Sequence, residues 1–136
     1  MIKAKRQNVV YLTGWIIAAE WVEHQRLGEE VFSCTIRTDR MQYGGHHTVY
    51  FHGDLAQRLN MAIYVFMSDA PQFPSVDIEK VSFEEMDRYF LMVTVDGVLH
   101  FDDLFAIRVN CLNLTGQQRA RVEDLLRDMR VRAWRT

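Results

Sequence analysis

The chain has 136 residues, 49% of them hydrophobic and 25% charged, with a formal net charge of −2. That length holds one domain whose core needs no disulfide or metal, and the charge excludes a global positive field that would draw in a polyanion. No apolar run approaches the ~20 residues that span a bilayer, and the basic opening "MIKAKRQN" has no apolar stretch behind it. An intracellular protein is expected, cytoplasmic or in an organellar matrix, with no membrane partner.

The charge is uneven along the chain. Residues 1–6 hold three basic residues and no acid, and residues 68–114 hold three basic residues against nine acids. Residues 115–136 carry six arginines against three acids. Basic ends flank an acidic middle, and each region acts only over about 8–10 Å in physiological salt. Cys34 and Cys111 lie far apart in apolar runs and read as two buried thiols.

In chain order, "NVVYLTGWIIA" (8–18) is β-branched and aromatic, with Gly14 marking a bulge or bend in a first strand. A turn at 25–29 leads to "EVFSCTIRTD" (30–39), which alternates Val31, Ser33, Thr35 and Arg37 against Phe32, Cys34 and Ile36. After the glycines of "MQYGG" comes a third strand, 46–52. His46, Thr48, Tyr50 and His52 share one of its faces, and His47, Val49 and Phe51 the other. Gly53 ends it, and "DLAQRLN" predicts one or two helical turns with Asp54 as the cap. "AIYVFM" (62–67) predicts a fourth strand. Residues 68–88 hold both prolines and six acids and read as an insertion between strands, with a capping-box helix start at Ser82 and Glu85.

Asp96-Gly97 lies between two β-rich runs in 89–101 and predicts a hairpin turn. "LFAIRVNCLNL" (104–114) predicts the last strand, with Phe105, Ile107, Val109 and Cys111 on one face. From Thr115, a cap, the period becomes helical through Val122, Leu125, Leu126 and Met129. The chain thus divides into 7–114, a mainly β five-stranded barrel with a short helix between strands 3 and 4, and a C-terminal amphipathic helix, 115–136. Within the first part, 68–88 is an acidic insertion. This is the order of an OB-fold.

The same stretches resemble bacterial and mitochondrial single-stranded-DNA-binding proteins. "NVVYLTGWI" is similar to their first strand, "VFSCTIRTDR" to the second and "HHTVYFHGDLAQRL" to the third with its helix. "AIYVFM" is similar to the fourth, and "LFAIRVNCLNL" to the last. The resemblance implies bases stacked on third-strand rings at places that fall near His46 and on His52, with Tyr50 between them. The family often ends in a disordered acidic tail; here the end is arginine-rich.

A single-strand binder needs flat side chains for bases and cations for the backbone. The strand faces supply Trp15, Thr35, Arg37, His46, Thr48, Tyr50 and His52, and the loop supplies Arg40 and Tyr43. Trp21 adds a further ring. Arg37 and Arg40 meet phosphates in this reading, and Tyr50 stacks with the histidines. Charging of His46 and His52 would then strengthen binding at mildly acidic pH. Such a binder, of DNA more than RNA, is expected to work as a homo-oligomer or hetero-complex through strand 1 and the C-terminal helix. The alternative is an OB-fold subunit of a replication, conjugation or organellar RNA-processing complex that binds chiefly other proteins. It would use strand 1 and a helix stripe of Val122, Leu125, Leu126, Met129 and Trp134. His46, His47 and His52 lack the spacing and companions of a metal site, and Ser33, Cys34 and Cys111 lack a paired base. No catalytic residue, metal or cofactor is expected.

Overall fold

The computed structural model describes residues 9–38, 45–70 and 80–135, with the backbone alone at 83 and 131–135. Five strands close into a barrel: β1 (Val9–His24), β2 (Glu29–Thr38), β3 (His46–Phe51), β4 (Met92–His100) and β5 (Asp103–Leu112). Their order around the ring is β1-β2-β3-β5-β4. All neighbours are antiparallel except β3 and β5, which are parallel over two residue pairs, Val49 with Leu104 and Tyr50 with Phe105. This is the OB-fold arrangement expected from the element order.

Closure depends on β1. Its first half pairs with β4 and its second half with β2, and Gly14 and Trp15 pair with both. A Cβ at Gly14 would come 2.2 Å from the Arg37 carbonyl oxygen and 2.8 Å from Ile36 Cγ2. Only glycine lets the two backbones come that close. The bulge itself falls three residues later, between Ile16 and Ala18.

β2 alternates as expected from Phe32 onward and β3 does so too, but Val31, expected on the outer face, is fully buried. Phe32, Cys34, Ile36, Val49 and Phe51 face the core, while Thr35, Arg37, His46, Thr48 and Tyr50 remain half-buried or exposed. The expected fourth strand is wrong. Residues 62–67 belong to one helix, α1 (Gly53–Asp69), which buries Ala56, Leu59, Ala62, Val65 and Phe66 against the barrel. Helical spacing from Leu55 continues unbroken through "AIYVFM", and burial of that stripe outweighs the β-propensity of Ile, Tyr, Val and Phe. The cap is His52, one residue before Gly53, and Asp54 lies within the first turn. The fourth strand is therefore β4, and the acidic insertion joins α1 to β4.

The insertion ends in α2 (Phe83–Tyr89). Ser82 is its cap, through its backbone carbonyl, which accepts from the Glu85 and Met86 amides at 3.0 and 3.1 Å; the side-chain half of the capping box is not formed. The expected Asp96-Gly97 turn is also corrected, because both residues lie inside β4. The buried Asp96 carboxylate accepts from Asn110 Nδ2 at 2.7 Å and lies 3.4 Å from Arg108 Nε. A Cβ on Gly97 would come 2.8 Å from Leu104 Cδ1, so glycine serves strand packing here. The turn lies further on, at Phe101 and Asp102, with φ of 54° and 65°. These are the two positive dihedrals of a tight hairpin, adopted here without glycine.

β5 does not keep the expected single face. Register shifts against β4 leave Ile107 and Cys111 exposed, while Phe105 and Ala106 are buried. Cys111 is thus not the buried thiol expected, whereas Cys34 is.

The C-terminal helix, α3 (Gly116–Arg135), starts with a reciprocal cap. The Thr115 amide donates to Gln118 Oε1 at 2.9 Å, and the Gln118 amide donates to Thr115 Oγ1 at 3.1 Å. Gln118 Nε2 and Arg121 Nη1 both donate to Asp69 at the end of α1, each at 3.1 Å. Val122 and Leu126 are buried in the core with α1, and Leu125 packs against its margin. The stripe expected to meet another chain is largely covered by this one. Among its expected members, Met129 is exposed and Trp134 lies where only the backbone is described.

Two measurements check this architecture. Gly14→Ala should lower stability by about 2–3 kcal/mol in chemical denaturation, while Gly45→Ala, which meets nothing within 4 Å, should change it by less than about 0.5 kcal/mol. The Gln118 hydrogen bond, and then Arg121, hold the Asp69 carboxyl below its ordinary pKa. A carboxylate favoured in the folded state adds stability above its unfolded pKa and loses it as pH falls through the lowered one. Asp69→Asn should therefore melt earlier than the wild type at pH 7, with the gap narrowing below about pH 4.

Candidate nucleic-acid interface

The outer side of β2 and β3 forms a register of facing pairs: Arg37 with His46, Thr35 with Thr48, and Ser33 with Tyr50. Strand alternation places all six on the side away from the barrel core. His46 and Thr48 are exposed, and Tyr50 is half-buried. The strip has a border at each end.

At the Arg37 end the border is α2. Trp15, paired across the sheet with Arg37, packs with Val81 and Met86 in a second cluster outside the barrel. Its indole Nε1–H donates to Asp87 Oδ1 at 2.8 Å. With only 7% of its surface exposed, Trp15 is not the stacking platform expected from sequence. Its ring is occupied in holding α2 to the sheet. Arg37 turns the same way, with Nη1 3.7 Å from the Met86 sulfur. The exposed Glu84 and Glu85 of α2 add negative charge at this border.

At the Tyr50 end the border is a group of rings. His24, at the end of β1, stands edge-on to Tyr50 and to Phe105, with centroids 5.3 Å from each. Tyr50 and Phe105 lie 5.4 Å apart, across the parallel β3–β5 seam. His100 and Phe101 continue the group outward, 4.0 Å from one another. Phe101 is 39% exposed at the hairpin tip, and the Arg26 guanidinium lies 5.5 Å from its ring centre. That distance is within cation–π range.

His24 holds this end together. It is buried, and its Nδ1 accepts from the Leu27 amide at 3.3 Å while its Nε2 lies 2.8 Å from Asp103 Oδ2. The Leu27 amide at Nδ1 and the Asp103 carboxylate at Nε2 give both ring nitrogens a partner. One imidazole thus ties the β1–β2 turn to the start of β5. These are the loops that border the ligand face in OB-folds.

The remaining expected residues divide. Thr35, His46, Thr48 and Tyr50 come together on the strip. His52 lies beyond β3 as the α1 cap, exposed, with Nδ1 3.6 Å from Glu29 Oε1. Trp21 turns toward the core, tilted against Phe32 with centroids 4.9 Å apart. Arg40 and Tyr43 lie outside the described residues. Sequence reasoning missed His24, Arg26, Phe101 and Phe105. The lone arginine of the 25–29 turn was a signal for Arg26, His24 lay beyond the expected end of the first strand, and the misplaced hairpin hid the others.

No family model matches the chain, and no curated protein matches it. Among solved structures it is similar to a small single-stranded DNA binding protein from Mycoplasma pneumoniae. The two are 16% identical, with a TM-score of 0.44, over 81% of this chain and 88% of the other.

His24→Phe keeps a ring in place and removes both hydrogen bonds. It should cost about 1–2 kcal/mol of stability and speed hydrogen exchange at the Leu27 amide, which loses its acceptor.

Proposed function

We propose that this chain binds single-stranded nucleic acid, with DNA the preferred ligand, along the outer strip of β2 and β3 and onto the rings at its Tyr50 end, and that it does so without catalysing a reaction. The observation that carries this reading is the run of Thr48, Tyr50 and Phe101 on one side of a closed barrel, with Arg26 placed over the outermost ring. Each base stacked on such a ring contributes about 1–3 kcal/mol, whatever its sequence. The exposed hydroxyl of Thr48 and imidazole of His46 supply hydrogen bonds beside the stack.

Cations are few along the strip, and Glu29 and Glu84 lie at its margins. Binding then draws more on stacking than on counterion release. Arg37 is engaged with α2, so with Arg26 and Arg40 as the phosphate contacts log K against log salt should have a slope of about −1.4.

A second reading, an OB-fold that binds mainly protein, is favoured by the exposed Tyr11 on β1 and by Tyr64 and Met67 on α1. Oligomerisation through β1 or α3 is part of that proposal. A solution mass taken beside the binding assay separates the two.

The test is a fluorescence titration with an oligonucleotide of about 16 nucleotides at low and high salt. Tyr50→Ala and Phe101→Ala should each weaken binding roughly 5- to 150-fold while the far-UV spectrum stays unchanged. No binding at micromolar protein in low salt would overturn the nucleic-acid reading.

A further inference from the structure

On the side of the molecule formed by the two long helices, α1, β5 and α3 enclose a cavity of ≈ 330 Å³, partly open to solvent. Leu55, Leu59 and Ala62 of α1 form one wall, Val109 and Leu112 of β5 the second, and Val122 of α3 the third. Arg58, Arg119 and Glu123 complete the lining, with the exposed Cys111 beside them.

We propose that this cavity is a binding site for a linear monocarboxylate with an apolar tail of roughly eight to ten carbons. The size follows from the volume, at about 30 Å³ for each small group it must hold. A mainly apolar lining with a few fixed polar groups is the usual make-up of a small-molecule site, and this volume lies at the lower end of the range. The charge of the head follows from the lining. Two arginines and one glutamate leave one positive charge without an internal counterpart, which matches a monoanion better than a phosphate dianion. Glu123 accepts from Arg58 Nη1. Arg119 Nη2 donates to the Leu112 carbonyl at 3.2 Å, which places the guanidinium by β5 with other N–H groups free to meet a carboxylate. A neutral chain would fill the same walls and leave that charge unanswered. The site is separate from the β2–β3 strip, and the proposal does not rest on nucleic-acid binding.

Cys111 provides the readout. Burial pushes the Cys34 thiol up to about 12, so alkylation at pH 8 should report Cys111 alone. Sodium decanoate at ten times its Kd should slow carboxamidomethylation of Cys111 about tenfold, and decan-1-ol should do markedly less. Arg119→Gln, an exposed position, should weaken decanoate at least about tenfold while the melting temperature stays close to wild type. Val109→Trp, which fills the cavity, should abolish the decanoate effect. Absence of protection at millimolar decanoate would overturn the proposal. So would equal protection by decanol, or decanoate binding unchanged in Arg119→Gln. Protection of Cys111 by a single-stranded oligonucleotide would merge the cavity with the strip and overturn it as a separate site.

Discussion

The close approach of β1 and β2 at Gly14 is the constraint on which the molecule turns. At that residue one strand serves two partners, Thr38 on one side and Val93 on the other. In this barrel β1 changes neighbours along its length, and it does so where a side chain would meet the Arg37 carbonyl. Closure there gives β2 and β3 an inner face of Phe32, Cys34, Ile36, Val49 and Phe51. The opposite face of the same residues is held rigid as a consequence, and that is the face proposed to meet a ligand.

The two ends of that face are built in different ways. At one, Trp15 and Arg37 are drawn into contact with α2, so an apolar cluster and an indole hydrogen bond take the place of an open surface. At the other, His24 joins two loops through both of its nitrogens and leaves the rings around it partly open. The binding proposal is therefore weighted toward the second end. The C-terminal helix contributes mainly to packing, because Val122 and Leu126 complete the core over α1 and Gln118 and Arg121 secure it at Asp69.

The second and third strands were legible in the sequence because period-two alternation is a local property, and Ser33, Thr35 and Arg37 against Phe32, Cys34 and Ile36 states it clearly. The first was legible only in part: its β-branched and aromatic run marks residues 8–18, but β1 continues through the more polar 19–24 to His24. "AIYVFM" was misread because a short apolar run fits a strand or a buried helix equally well, and what decides is the stripe it shares with Leu55 and Leu59. Asp96-Gly97 was misread because the dipeptide favours a turn locally. Long-range contacts outweigh it: Asn110 and Arg108 for the aspartate, Leu104 for the glycine. The β5 bulges that expose Ile107 and Cys111 have no marker in the sequence. Of the candidate site, the strip was visible and the ring group was not, since His24, Tyr50, Phe101 and Phe105 meet only after closure.

The parallel contact of β3 with β5 is two residue pairs long, while β1 and β2 match over ten. A cylinder made of unequal seams parts first along the shortest, and here Tyr50 and Phe105 lie on either side of it as a clasp. Anything that inserted between those two rings would be prying at the joint, so the end of the face proposed to meet a ligand is also where the barrel wall is joined by its shortest seam.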